Sequence, residues 1–267
     1  TVKTYPTLSS TYDELVCTAG ILDDGNWARI YPLPFRKLDY EKKYKKYQWI
    51  EAPLIKNASD PRPESYKVTD RDKVKILGEP IGTQRGWQKR KDIIFEKNPV
   101  YSDTESLINE NRQSGVSLAI FKPRKIKDFN IVEVERKWDK RKLAQLKQKA
   151  KQYSLFQSKE EVEREFMVVD KLPYKFSYRF EDSQGRESTL MIEDWEIGML
   201  YWNCLKQADQ DEVKALDLVR QKYWDEFPNK DLHFFMGTTR QFHGWGKNPF
   251  IIIGVFYPPH DKQLSLF

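Results

Sequence analysis

The chain has 267 residues, with 46 Lys/Arg against 40 Asp/Glu for a formal net charge of +6, and 14% of its residues are aromatic. That aromatic content excludes an intrinsically disordered chain, and the length allows one large domain or two ordinary ones that bury a core without covalent staples. Two cysteines, Cys17 and Cys204, exclude a disulfide framework and a cysteine-based zinc module.

Leu15–Leu22 is an apolar run of strand length, followed by the turn residues Asp23-Asp24-Gly25-Asn26 and a return strand Trp27–Tyr31. Strand alternation sets Trp27, Arg29 and Tyr31 on one face and Ala28 and Ile30 on the other. Further strands are expected at Tyr47–Ile55, Lys73–Leu77 and Ser117–Phe121. Thr104–Gln113 reads as a helix, because Ser102-Asp103-Thr104-Glu105 supplies a capping residue and an early acid. A second, densely basic helix is expected at Asp139–Tyr153, with Leu143, Leu146, Ala150 and Tyr153 at helical spacing.

Tyr174–Phe180 alternates aromatic and polar residues over seven positions, the signature of a half-buried strand. Asp182–Gly185 turns it and Ser188–Ile192 returns. Glu193-Asp194-Trp195-Glu196 places acids at the positive end of a helix reaching Lys206, and a further helix is expected at Asp209–Glu226. Leu232–Met236 and Phe250–Tyr257 close the chain as apolar strands. The expected fold is α+β: a basic, sheet-rich part at 1–125 with a barrel as one arrangement, a basic helical connector at 126–158, and a mixed α/β part at 159–267.

Charge is unevenly spread. Residues 36–56, 84–97 and 122–151 carry net charges of +4, +3 and +8, whereas residues 159–230 carry −6. One anion-facing side is expected from such segregation, although charge runs also arise as plain solvated surface. Within the basic segments, Tyr40, Tyr44, Tyr47 and Trp49 interleave with Lys42, Lys43, Lys45 and Lys46. Arg85, Trp87, Lys89, Arg90 and Lys91 repeat the combination, and Lys140 and Arg141 extend it. Cations neutralise phosphates and exposed rings stack on bases, so this composition suits nucleic acid; the alternative is that the rings are core and the lysines its rim.

No GxxxxGK[ST], GxGxxG, HExxH or GxSxG motif occurs, which argues against a P-loop nucleotidase, a Rossmann dehydrogenase, a zincin and an α/β-hydrolase. Neither a recognition-helix signature nor a zinc finger nor an RNP-type motif is present. The most chemistry-laden stretch is the loop at 237–248, where Arg240 can grip phosphate and His243 can exchange a proton. A hairpin turn packed on the core explains the same residues. Asp194 joins these two as a candidate catalytic carboxylate, with helix-start electrostatics as its alternative. In Asp60-Pro61-Arg62-Pro63-Glu64, Arg62 and Glu64 are candidate ligand contacts on a Pro-fixed loop.

The expected function is nucleic-acid binding, DNA or RNA, through the basic and aromatic N-terminal surface. Its rivals are a hydrolase or nuclease-like enzyme acting near the 237–248 loop, and an interaction subunit with protein partners. No cofactor or metal is expected, except Mg²⁺ under the enzyme reading. No apolar run approaches the ~18 residues of a membrane span, and the first ten residues lack a signal-peptide pattern, so a cytoplasmic protein without membrane contact is expected.

Overall fold

The computed structural model describes residues 1–8, 14–33, 35, 38, 43–141, 143–144 and 170–261. The N-terminal strands are β1 (Val2–Lys3), β2 (Thr7–Leu8), β3 (Glu14–Ile21) and β4 (Trp27–Leu33), joined by the expected hairpin. Next come β5 (Trp49–Glu51), β6 (Leu54–Lys56), β7 (Ser65–Val68), β8 (Lys75–Leu77), α1 (Gln84–Phe95), β9 (Val100–Tyr101), α2 (Thr104–Ser114), β10 (Leu118–Phe121) and β11 (Lys125–Glu133). The remainder comprises β12 (Tyr174–Glu181), β13 (Glu187–Met191), α3 (Trp195–Gln207), α4 (Glu212–Arg220), β14 (His233–Thr238) and β15 (Phe250–Phe256). The fold is α+β.

The centre of the molecule is the four-stranded sheet β15-β14-β10-β9. All four residues of β10 and all six of β14 are buried. Alternation sends their side chains into two different cores. On one face, Ala119, Phe121, Phe234, Met236 and Ile252 join the aromatics Phe176, Tyr178 and Phe180 of the β11-β12-β13 sheet and the buried faces of α3 and α4. On the other, Leu118, Ile120, Phe235 and Ile253 pack with Val2, Ala19 and Ile94.

The N-terminal strands form an open sheet in the order β1-β3-β4-β7-β6, with β2 on β3, and β5 pairs β8 separately. Among the described residues the strands do not close into a barrel, which corrects that expectation. A single strand at Tyr47–Ile55 is also wrong. Tyr47 has φ +60° and lies outside the strand, and β5 and β6 pair with different partners on either side of Pro53, which has no N–H to donate. The basic stretch expected to be a helical connector opens with strand β11, held against β12 by a long antiparallel ladder. Residues 140, 141, 143 and 144 are helical; the remaining part of the helix expected at 139–153 lies outside the described residues.

Two helices carry features that a plain amphipathic reading does not contain. The first residues of α1, Arg85, Gly86 and Trp87, are left-handed (φ +50°, +65° and +67°) before regular helix begins. The helix expected from Asp209 starts later, at Glu212, because Asp209 and Gln210 are left-handed and Asp211 caps the chain by accepting from the Lys214 N–H. Its continuation, Gln221–Glu226, is a π-helical turn.

The hairpin turn gives a direct test. Gly25 sits at φ +84°, and a Cβ there would lie 2.6 Å from Lys97 Cδ. Gly25→Val is expected to cost about 1 kcal/mol or more, measured as a lowered urea midpoint at unchanged m-value; an unchanged midpoint would contradict the turn geometry.

Candidate functional site

The central strand β14 ends at Thr238, whose N–H donates to the Ser117 carbonyl at the start of β10. The chain then makes a compact loop: the His243 N–H donates to Thr239 O and the Gly246 N–H to Phe242 O. Three other segments converge on this loop. From α2 comes Asn111, 1% exposed; from β4 comes Arg29, 2% exposed; and the Asp60–Ser65 connection lies alongside.

Arg62 ties that connection down. Its guanidinium donates to both Asp60 carboxylate oxygens (2.9 and 2.6 Å) and to the Thr238 carbonyl (2.8 Å). Burial alone would raise the Asp60 carboxyl, but the bonds and charge of Arg62 overcome it and hold Asp60 down at about 2. Arg29 donates to the Ser117 carbonyl and hydroxyl oxygens, both at 3.0 Å, and its other terminal nitrogen lies 3.5 Å from Cys17 Sγ. Ser117 in turn donates to Glu64 Oε1. Three buried polar atoms here have no hydrogen-bond partner among the described residues: Arg29 Nε, Glu64 Oε2 and Thr239 Oγ1. An unpaired buried polar atom costs about 1–3 kcal/mol, so these three weigh against stability at this point of the fold.

His243 sits on this cluster. Its Nδ1 is 2.9 Å from Asn111 Nδ2 and 3.2 Å from Thr238 Oγ1, and Nε2 makes no hydrogen bond among the described residues. Burial depresses the imidazole below its ordinary value, and the Arg62 and Arg29 charges add to this against Glu64 and Asp60. Outside the cluster the loop presents Phe242 and Trp245, 39% and 67% exposed, with ring centroids 5.4 Å apart. Exposed Arg240 and Lys247 flank them, and Arg240 also donates to the Ser59 carbonyl (2.7 Å).

Asp194 does not join His243 and Arg240. It caps α3 through Oδ1, which accepts from the Glu196 N–H, and its charged neighbours are Lys46, Glu196 and Lys3 rather than those of His243. The Lys3 ammonium lies 3.9 Å over the Phe35 ring and donates to the Tyr44 carbonyl. These groups line a second cavity of about 490 Å³.

The basic and aromatic candidates divide sharply. Tyr44 is 1% exposed, and Trp87 packs with Tyr47 and Phe256. Trp49 lines a largely apolar cavity of about 420 Å³. Lys46 is paired with Glu196 (2.7 Å) and the Val255 carbonyl, and Lys91 with Asp261. Arg90 stacks 3.9 Å from the Tyr47 ring and donates to Ile81 O. Lys43, Lys45, Arg85, Lys89, Lys140 and Arg141 are exposed. Lys42 lies outside the described residues. Tyr44, Tyr47 and Trp87 are therefore packing elements, while part of the charge faces solvent; Tyr40 lies outside the described residues. Arg29, Ser117 and Asn111 were not legible as site residues. The one available signal was a strand-centre arginine between Ala28 and Ile30, which demands a buried partner.

The molecule is thus an α+β protein whose N-terminal sheet and central sheet meet at a buried arginine–carboxylate–histidine cluster. It belongs to the family described as a domain of unknown function, DUF8757, whose model matches residues 101–267. Residues 1–96 match a second domain of unknown function, DUF8758. The cluster draws Arg29, Asp60, Arg62 and Glu64 from the first matched segment and Asn111, Ser117 and His243 from the second. No curated protein and no solved structure matches the chain. No helix among the described residues is long and apolar enough to cross a membrane.

The α3 cap makes a pH prediction. Burial raises the Asp194 carboxyl to about 7, with Lys46 opposing and Glu196 reinforcing. A carboxyl raised on folding contributes stability below its unfolded value near 3.9 and loses it as pH rises through about 7. Asp194→Asn keeps a capping oxygen and removes the titration. Its stability relative to the wild type is expected to increase between pH 4 and pH 8 in urea unfolding; a pH-independent difference would refute the assignment.

Proposed function

We propose that this protein binds nucleic acid in single-stranded or locally unpaired form, with the 239–248 loop as its contact. The observation that carries the reading is the exposed pair Phe242 and Trp245. They are the exposed aromatic side chains among the described residues, and they stand between Arg240 and Lys247. Large apolar rings left in water on a loop held by a rigid strand are characteristic of recognition surfaces. Bases stack on such rings whatever their sequence, while neighbouring cations neutralise the phosphates. This reading moves the contact from the 42–49 and 85–91 stretches, where Tyr44, Tyr47 and Trp87 are consumed by packing. Exposed Lys43, Lys45, Arg85 and Lys89 supply a diffuse attractive field. A reducing, cytoplasmic setting fits the two free cysteines, Cys17 and Cys204.

Fluorescence anisotropy with a labelled oligonucleotide tests the assignment. Phe242→Ala and Trp245→Ala should each weaken single-strand binding by about 1–3 kcal/mol, roughly 5- to 150-fold. Neither change should move the melting temperature much, because both rings are solvent-facing. Lys247→Ala should flatten the logarithmic salt dependence by about 0.7. Unaltered affinity in the folded double aromatic variant would overturn the proposal.

A further inference from the structure

The Asn111 side chain determines what His243 can do. Its amide orientation is unambiguous, because Nδ2 faces the Val116 carbonyl (2.8 Å), which only accepts, and Oδ1 faces the Gly244 N–H (3.0 Å), which only donates. The second amide hydrogen of Nδ2 therefore points at His243 Nδ1, 2.9 Å away. An NH₂ group requires a lone pair opposite it, so Nδ1 is the unprotonated nitrogen and the ring proton resides on Nε2. Protonating Nδ1 would set an N–H against an N–H. Thr238 Oγ1, at 3.2 Å from the same nitrogen, would accept that proton only with Asn111 still opposed.

Burial and the neighbouring arginines act in the same direction, against Glu64 and Asp60. Asp60 is already engaged by both bonds from Arg62, and Glu64 receives the Ser117 hydroxyl. Arg29 approaches from β4, and Arg112 of α2 donates to the Gly246 carbonyl; both are cations. Arg240 and Lys247 add positive charge on the loop itself. An imidazolium would face the Arg62 and Arg29 cations, opposed by Asp60, which Arg62 already engages, and by Glu64, which keeps one oxygen unpaired.

We propose that His243 acts as a neutral hydrogen-bond donor, presenting Nε2–H to a non-bridging oxygen of a phosphodiester held beside Arg240, and does not exchange a proton with it. The inference rests on the nucleic-acid reading for the identity of the ligand, but not for the state of the ring. It replaces the general acid–base role that the loop composition suggested. A phosphodiester is singly charged throughout the neutral range, so a neutral donor paired with a permanent arginine grips it at constant strength as pH changes.

Two measurements on the intact protein test it. Long-range ¹H–¹⁵N spectra of the free protein, with the His243 signals assigned by their loss in His243→Gln, should show the Nε2–H tautomer at pH 7. They should show no conversion to imidazolium at about pH 6.5, where free histidine is half converted. Oligonucleotide affinity should be flat from pH 6 to pH 8, whereas a contact needing imidazolium would weaken by about tenfold per pH unit above its midpoint. His243→Gln offers an N–H near the Nε2 position and should retain affinity within about threefold, while His243→Ala should lose about tenfold or more. An Nδ1–H tautomer or an imidazolium at pH 7, or equal losses in the Gln and Ala variants, would overturn the inference. The spectra decide the tautomer even if no form retains oligonucleotide, an outcome that would overturn both the nucleic-acid reading and the phosphate role of His243.

Discussion

Burial of one short sheet on both faces is the constraint on which the molecule depends. Strands β10 and β14 expose nothing, so each residue along them must be complementary to one of two cores. Phe234 stacks on Tyr178 and meets Phe180 edge-on, while its neighbour Phe235 turns to Trp27 and Phe256. A β14 register slip by one residue would exchange these environments and place both sets of rings wrongly. The N-terminal sheet and the helical half are therefore joined through alternate residues of the same strands.

That arrangement also creates the site. A fully buried strand must discharge its chain into solvent somewhere, and β14 does so at Thr238. The backbone groups at this exit still need partners. The Thr238 N–H takes the Ser117 carbonyl, and the Thr238 carbonyl takes Arg62. Arg29 covers the remaining side through Ser117. Arg62, drawn inward to satisfy the strand end, brings its carboxylate partner Asp60 with it, while Arg29 is linked to Glu64 only through the Ser117 hydroxyl, and the result is a charged cluster beneath an exposed loop. The residues that satisfy the strand end are thus the same ones that surround His243. Within the cluster, Arg29 Nε and Glu64 Oε2 are left unpaired among the described residues.

The basic N-terminal segments illustrate how composition misleads about exposure. Tyr44, Tyr47 and Trp87 alternate with cations in the chain, yet their rings interlock with Phe35, Phe256 and Tyr257. Lys3 and Arg90 lie across these rings and bond to backbone carbonyls, which makes both cations part of the packing. Aromatic and basic residues pack against one another as readily as they bind nucleotides. Their co-occurrence is therefore evidence for either outcome until burial is known.

Local patterns identified what depends on neighbours in the chain. The β3–β4 hairpin follows from Asp23-Asp24-Gly25-Asn26, the β12 strand from its aromatic alternation, and the α2 start from Asp103, whose side chain accepts from the Glu105 and Ser106 N–H groups. The 237–248 loop and the Asp60–Glu64 connection each stood out by composition. Their meeting did not, because Arg62 reaches Thr238 across 176 residues and Asn111 reaches His243 across 132. The separation of Asp194 from His243, the burial of Tyr44 and Trp87, and the tautomer of His243 are likewise long-range facts. Periodicity and turn chemistry act over a few residues and are written in the sequence by itself. Which charged groups are desolvated, and which nitrogen of a histidine keeps its proton, depends on partners that only the folded chain brings within hydrogen-bond distance.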